Sequence, residues 1–518
     1  MKRLPVLILL LATAVLLYAA WMPLATLDPR NVGWLLDGHD HGQSAIGLAA
    51  YLAGDGWPPF HIGLLSAPEG TSLLLTDSIP LLGLLLGPFA GVLPPGLQFV
   101  GPWLFACLVL QLLFAWALVR PHATDVPTAW FGTALLAALP MLFNRYPHAS
   151  LCAQWLILWA LWIYVEPRRA DRPWWWLAVL GVAALVHSYL LLMVASIWAA
   201  SILRRVVERR QVRPFIEMVG IIGLVTLLLA AQGVFGGGFG STHTYGAYPM
   251  ALDAWWNPAN PTYSALLPSS PAKEHGRGFE GLNYLGAGML LTVLIALATR
   301  RVALRPLLWL VPGFAVLALV AIGPQPLLWG QALTTVHLPL WLTDALDPVR
   351  ASGRLAWPLT YTIAYAAIVS VMALRRATLL LAAAVALQAV DLAPMLAAIR
   401  ATAARANSST VFTRTPDPRW AGLIARAKQV DFTPADAFIN LEVMEEITWR
   451  AVAARRPVGF TYTSRTSRAT RERTAAERVA FERGVVPPGH LVIVQDGVVP
   501  APLAPRVIRI DGVTVIAP

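Results

Sequence analysis

Charge is scarce in this chain. Only 13% of its 518 residues are Asp, Glu, Lys or Arg, whereas 57% are hydrophobic. A soluble globular chain is nearer ~25% charged, so that class is excluded. Cysteine is nearly absent as well. Cys107 and Cys152 both fall in or beside apolar blocks, which excludes a disulfide framework or a cysteine-based zinc cluster and leaves packing as their role. No repeat of solenoid period is present. The glycine run Gly236 to Gly240 lacks the Lys and Ser/Thr of a phosphate-binding P-loop and reads as flexible chain leaving a membrane.

What the chain does have is apolar length. Blocks of about 20 residues, enough to cross a hydrocarbon core of ~30 Å, recur from the N-terminus to about residue 396. Many of the 21 tryptophans stand at block ends, where amphipathic rings favour the membrane interface. The expectation is an α-helical polytopic membrane protein with about eleven transmembrane helices. Those spans are 4–23, 97–119, 128–145, 149–166, 174–188, 189–204, 214–233, 282–299, 306–323, 356–374 and 378–396. The first follows Met1-Lys2-Arg3 and reads as a retained helix rather than a cleaved signal peptide.

The formal charge of +11 suggests nucleic acid at first sight, but it is distributed as a topology signal. The short connections beginning at Arg120, Glu166, Arg204, Arg300 and Arg375 are rich in Arg, as is the N-terminus. By the positive-inside rule they are cytoplasmic. The opposite short connections are poor in Arg, apart from Arg145. The expected protein is therefore multi-pass in a bacterial inner (cytoplasmic) membrane, with a cytoplasmic N-terminus. A membrane part spans 1–396, with periplasmic loops 24–96, 234–281 and 324–355. A small periplasmic α/β domain spans 397–518, with a charged helix over Glu445 to Arg455 and β-prone runs Val458 to Tyr462, Leu491 to Gln495 and Val507 to Ile510. Segment 78–96, bracketed by Pro80, Pro94 and Pro95, is expected to lie at the interface as a helix.

Polar side chains collect on the expected outer side; of ten histidines only His122 does not. An ionisable residue at membrane depth is a functional candidate. The first loop carries Asp37-Gly38-His39-Asp40-His41. A carboxylate there could serve as general base on an incoming hydroxyl; the set could hold a cation; or it could be a plain turn. Asp77 and Ser78 are either catalytic or caps of the helix starting near Pro80. His148 and His187 fall at turns between spans and could line the same pocket. Glu280 stands at the start of a span, four residues before Tyr284, and calls for a partner. Arg350 and Arg354, four apart, could project from one helical face and grip phosphate oxygens in a bidentate fork. The alternatives for them are a salt bridge to Glu280 or Asp344, or snorkelling.

A first helix, a long outer loop with an early Asp, many spans with short inner loops and a closing soluble domain together resemble the C-type glycosyltransferases, which use polyprenyl-phosphate sugars. More closely, the chain resembles an uncharacterised bacterial family of polytopic membrane proteins similar to them. The stretches that carry this are Trp34-Leu-Leu-Asp37, Thr76-Asp-Ser-Ile-Pro-Leu-Leu82, Gln98-Phe-Val-Gly101, His148-Ala-Ser-Leu151, Glu280-Gly-Leu-Asn-Tyr-Leu-Gly286 and Arg350-Ala-Ser-Gly-Arg354. The resemblance implies a C-type fold and retaining or inverting sugar transfer from a polyprenyl-phosphate sugar to a glycan, lipid or protein acceptor in the cell envelope. A first-loop acid, Asp37 or Asp40, would activate the acceptor. Asp-Gly-His-Asp-His departs from the compact paired acidic motif of the class, which leaves the choice of base open. Arg350 and Arg354 would hold the donor phosphate. Helices over about 43–54 and 80–93 would hold the lipid. His39, His41, Asp77, His148, His187, Glu280 and Tyr284 are candidate substrate contacts. No cofactor is expected, although a divalent cation beside Asp37, His39, Asp40 and His41 is compatible with the residues. The expected partners are these substrates and membrane lipids, not nucleic acid. The rival readings are a lipid or glycan transporter or flippase, and a non-catalytic subunit of a polysaccharide assembly system.

Overall fold

A computed structural model of the chain describes residues 3–54, 58–210, 213–236, 242–270, 277–299 and 305–518. The glycine run beyond Gly236 and most of the Arg-rich connection after Thr299 fall outside these residues. The membrane part is helical: α1 (Arg3–Trp21), α2 (Asp40–Ala53), α3 (Pro80–Leu86), α4 (Val100–Val119), α5 (Val126–Ala137), α6 (Trp155–Tyr164), α7 (Pro173–Val186), α8 (Ser188–Arg209), α9 (Arg213–Ala231), α10 (Ala287–Thr299), α11 (Val311–Ile322), α12 (Trp357–Met372) and α13 (Ala377–Thr402). Shorter turns join them.

Among the described residues, six helices are long and apolar enough to cross a membrane: Leu4–Trp21, Val100–His122, Ser188–Glu208, Arg213–Ala231, Ser352–Met372 and Ala377–Thr402. The other five expected spans are apolar helices of 10–17 residues, and the sequence explains two of the shortfalls. The expected span 128–145 stops at Ala137 because Pro140 follows. Proline lacks the N–H a continuing helix needs and disfavours helical backbone at Leu139. The chain from Pro140 to Gln154 then runs through the interior as short turns, every residue but His148 buried, with Leu142, Phe143 and Leu151 in the core. The expected span 282–299 begins only at Ala287, because Gly286 takes φ +83°, a left-handed turn that glycine adopts without strain.

Described residues of three Arg-rich connections meet at one end, where His122, Glu166, Arg169, Pro306 and Tyr365 line a cavity of about 340 Å³. At the other end sit the starts of α2 and α12 and the turn at His148. Here the structure corrects one expectation. Helix α2 is no lipid-facing surface, since His41 through Ala50 are all buried. Gly47 lets it press on Thr76 and Ser78, and a side chain at Gly42 would lie 2.5 Å from the Glu445 carboxylate of the C-terminal domain. The α3 region is the exposed one: Leu84, Leu85, Phe89 and Val92 face outward.

The C-terminal domain has helices α14 (Arg419–Arg426), α15 (Leu441–Ala453) and α16 (Arg468–Glu482). Its strands are β1 (Gln429–Thr433), β2 (His490–Val494), β3 (Val507–Ile510) and β4 (Val513–Ile516). They form one mixed sheet in the order β1-β2-β4-β3, β1 and β2 being parallel. Side chains of Asn440 and Ser467 cap α15 and α16 by accepting from Val443 N–H and Thr470 N–H, as residues of this type do at helix starts. Asp511-Gly512, both at positive φ, turn β3 into β4 as an Asp-Gly hairpin. The expected strand over Val458 to Tyr462 is instead an extended docking segment. Val458 donates to Leu64 O (2.8 Å) and accepts from Ala67 N–H (2.9 Å), while bridging β1 on its other side.

Candidate functional site

The two first-loop aspartates lie in different surroundings. Gly38, at φ +82°, turns the chain so that Asp37 ends one segment and Asp40 opens α2. Asp37 bonds back to its own loop, with His39 Nδ1 at 3.0 Å and His41 Nε2 at 2.8 Å. The two imidazoles stack with centroids 5.6 Å apart, and Trp34 packs on His41. Burial works against the Asp37 charge, but His41 and His39 hold its carboxyl well below the usual range. Beneath the turn, Gly38 N–H donates to Glu445 Oε2 at 2.8 Å. Burial pushes the Glu445 carboxyl well up, and the nearby Asp37 and Asp40 charges add to it.

Asp40 points the other way. It accepts from Tyr462 Oη at 2.9 Å and lies 3.1 Å from His148 Nδ1. Burial, and then the Asp40 charge, raise the Tyr462 phenol, so it stays protonated and donates. The other imidazole nitrogen of His148 is 3.4 Å from Glu280 Oε1. Glu280 in turn accepts from Arg145 Nη1 at 2.6 Å and from Arg354 Nε at 2.7 Å. Despite burial, Arg354 and Arg145 hold Glu280 well below the usual carboxylate range. Two guanidiniums against one carboxylate leave local positive charge behind His148.

Asp77 completes the cluster. Its carboxylate, that of Asp40 and the His148 imidazole present ligand atoms within 4.8 Å of one another. Burial pushes the Asp77 carboxyl up to about 6, with His148 opposing and Asp40 adding to the rise. Asp77 takes φ +51° at the end of a 3-10 turn, a conformation short polar side chains tolerate. It does not cap α3, nor does Ser78, whose hydroxyl donates to Ser44 O at 2.7 Å. The residues expected around one cation therefore separate: Asp37, His39 and His41 form one candidate ligand group, and Asp40 joins Asp77 and His148 in another.

Two further expectations change, and His187 stays at its turn between helices. Arg350 and Arg354 do not share a helical face, because Ala351 (φ −81°, ψ 55°) breaks the helix between them. Arg354 turns inward to Glu280 and over the Tyr189 ring. Arg350 reaches Thr242 Oγ1 at 3.4 Å. Tyr284 is not near Asp40; it is buried, donating to Asp391 Oδ2 at 2.7 Å. His187 caps α8 by accepting from Tyr189 N–H at 3.1 Å, within electrostatic reach of Arg354, His148 and Glu280.

Sequence reasoning did not name Arg145, Glu445 or Tyr462 as site residues. Arg145 carried a signal, as the one arginine in the Arg-poor connections; it is fully buried, its guanidinium 4.0 Å from the Phe279 ring centre. Tyr462 carried none, since only the docking of the C-terminal domain brings it to Asp40. That docking is extensive. Ser464 N–H donates to Leu75 O at 2.8 Å, Arg473 pairs with Glu69 at 2.9 Å, and Arg465 donates to Asp347 O at 3.2 Å.

Residues 10–393 match the family described as a domain of unknown function, DUF6311, and residues 419–518 match the DUF6311 C-terminal domain. The chain belongs to the DUF6311 family. Nothing among curated proteins matches this DUF6311 chain. Among solved structures it is distantly similar to the archaeal oligosaccharyltransferase AglB from Archaeoglobus fulgidus, in complex with an inhibitory peptide and a dolichol-phosphate. The two are 12% identical, with a TM-score of 0.39 over 95% of this chain and 69% of that one. A likeness of that size carries no functional argument.

Proposed function

We propose that this DUF6311 protein is a membrane glycosyltransferase that moves a sugar from a polyprenyl-phosphate-linked donor to a hydroxyl of a glycan, lipid or protein acceptor. The observation that carries the reading is the setting of Asp40. Its carboxylate is held by Tyr462 on one side and His148 on the other, at the mouth of a buried cluster in which Arg145 and Arg354 both meet Glu280. In the step, the acceptor O–H passes its proton to Asp40 as the acceptor oxygen bonds the sugar's anomeric carbon. The bond from that carbon to the phosphate oxygen breaks, and its electron pair leaves with the polyprenyl phosphate. That anion is stabilised by the charge of Arg354 and Arg145 in excess of Glu280. His148 and Tyr462 orient Asp40. Asp37, already engaged by His39 and His41, shapes the loop. The lipid chain lies along Leu84, Leu85, Phe89 and Val92, which are exposed apolar side chains.

Asp40, Asp77 and His148 are the residues that would hold a divalent cation, two carboxylate oxygens and one imidazole nitrogen being a donor set suited to such ions. A cation there would supply Lewis-acid stabilisation of the phosphate. The site faces the non-cytoplasmic side of the inner membrane in this reading, because described residues of three Arg-rich connections gather at the opposite end.

The test is sugar incorporation in membranes carrying wild type, Asp37→Asn, Asp40→Asn or Arg354→Ala, with lipids profiled by mass spectrometry. Loss of a glycosylated product with accumulation of a polyprenyl-phosphate sugar, in folded Asp40→Asn, supports the reading. Indifference of every product to all variants sinks it and favours a transporter or scaffold.

A further inference from the structure

Tyr462 has a second role. Its hydroxyl holds Asp40, and its side chain also lines a cleft of about 450 Å³ between Arg350 and the C-terminal domain. The loop after β1 forms one wall and α16, with Arg471 and Thr474, another. Phe438, at the tip of that loop, is 78% exposed, with its ring edge-on to Tyr462 at 5.6 Å between centroids. A soluble domain gains by burying a phenyl ring, so one left beside a cleft marks a surface awaiting an occupant. Phe460 and three alanines complete an apolar frame, and the polar lining is mainly of two kinds. Thr463 and Thr466 bring hydroxyls, and Arg350 and Arg471 bring guanidiniums. The one acid, Asp436, turns an oxygen back onto Phe438 N–H at 2.9 Å.

We propose that this cleft binds an acidic saccharide chain, one bearing uronic-acid carboxylates, and presents its end to Asp40. The ring of Phe438 offers a flat apolar face to the C–H face of a sugar, the threonines meet its hydroxyls, and the arginines grip its carboxylates in bidentate geometry. A few convergent polar groups set in an apolar frame are what a small-ligand site requires. The proposal rests on the transferase reading for the identity of the occupant as acceptor, but its binding can be read without any transfer.

The full-length protein in detergent, without donor, is titrated calorimetrically with short galacturonic acid oligomers and, as a neutral control, with glucose oligomers. The acidic oligomer is expected to bind wild type. Phe438→Ala and Arg471→Gln, both changes at exposed side chains, are each expected to weaken it about tenfold or more. No binding of the acidic oligomer overturns the proposal. So does equal binding of the neutral one, or affinity unchanged in both variants. Saccharide binding without any sugar transfer in membranes leaves the cleft standing and removes the transferase reading. Transfer without saccharide binding does the reverse.

Discussion

Glu280 and Asp391 are both carboxylates sunk among apolar helices, and their partners differ in kind. Asp391, on α13, accepts from Tyr284 Oη, from Ser264 Oγ and from Ala287 N–H at 2.9 Å. All three donors are neutral, and together they pin the loop at Ser264 and the start of α10 to α13. Glu280 is met by two arginines and an imidazole, and one of them, Arg145, keeps Nε and Nη2 buried without a partner among the described residues. A buried carboxylate caged by neutral donors is a fastening. Buried ions in surplus are a poor way to gain stability, and these connect through His148 to Asp40 at the surface. The difference separates a carboxylate that holds the fold from one that, in the proposed reading, sits behind the reacting group.

Several substitutions would break or sharpen that distinction. Asp40→Asn should lower sugar transfer by about 10²–10⁴-fold, the worth of a positioned general base, while Asp391→Asn leaves the rate per folded molecule unchanged. Equal losses in the two would erase the distinction. Glu280→Gln leaves Arg145 and Arg354 facing each other without a counter-charge. It should cost about 3–5 kcal/mol, against about 1–3 kcal/mol for Asp391→Asn, read as relative resistance to denaturant in detergent. Tyr462→Phe removes one hydrogen bond to a charged group and should lower kcat about tenfold with KM unchanged, the pattern of a positioning residue, while costing about 1–3 kcal/mol of stability.

A further effect concerns pH. Burial lifts the Asp77 carboxyl to about 6, above an unfolded value of about 3.9. A raised folded-state pKa contributes stability that is complete below the unfolded value and lost as pH rises through the folded one. Thermal stability should therefore fall between about pH 4 and 6 through this group. Asp77→Asn should flatten that step in melting curves recorded across the range.

Much of the membrane part was legible because apolar length is a strong signal. Each expected span meets an apolar helix in the structure. The ends were not legible where the interior breaks helices: at Pro140, and at Gly286, whose left-handed turn hides inside an apolar run. Of the C-terminal strands, β2 and β3 follow from β-prone runs; β1, Gln429–Thr433, carries a charge mid-strand, and β4, Val513–Ile516, is as long and as β-prone as β3 but was not singled out. In the site, the clustering of Asp40, Asp77, His148, Glu280 and Arg354 was foreshadowed by polar residues gathering in the segments expected on one side of the membrane. The split between Asp37 and Asp40 was not, because it depends on which way each side chain leaves the Gly38 turn. Neither was the parting of Arg350 from Arg354, decided by the backbone at Ala351.

The docking segment at Val458 has a consequence for how the molecule is made. Asp40 and Tyr462 lie 422 residues apart, so the first loop is synthesised long before the residues that grip it. Contacts so distant in sequence form late, after the intervening chain has been placed. Until the last hundred or so residues arrive, Leu64 to Leu75 have no Val458 or Ser464 to pair with, and Asp40 has no phenol to hold it. A nascent or truncated chain is therefore left with the Asp40 cluster open on the side that Tyr462 closes.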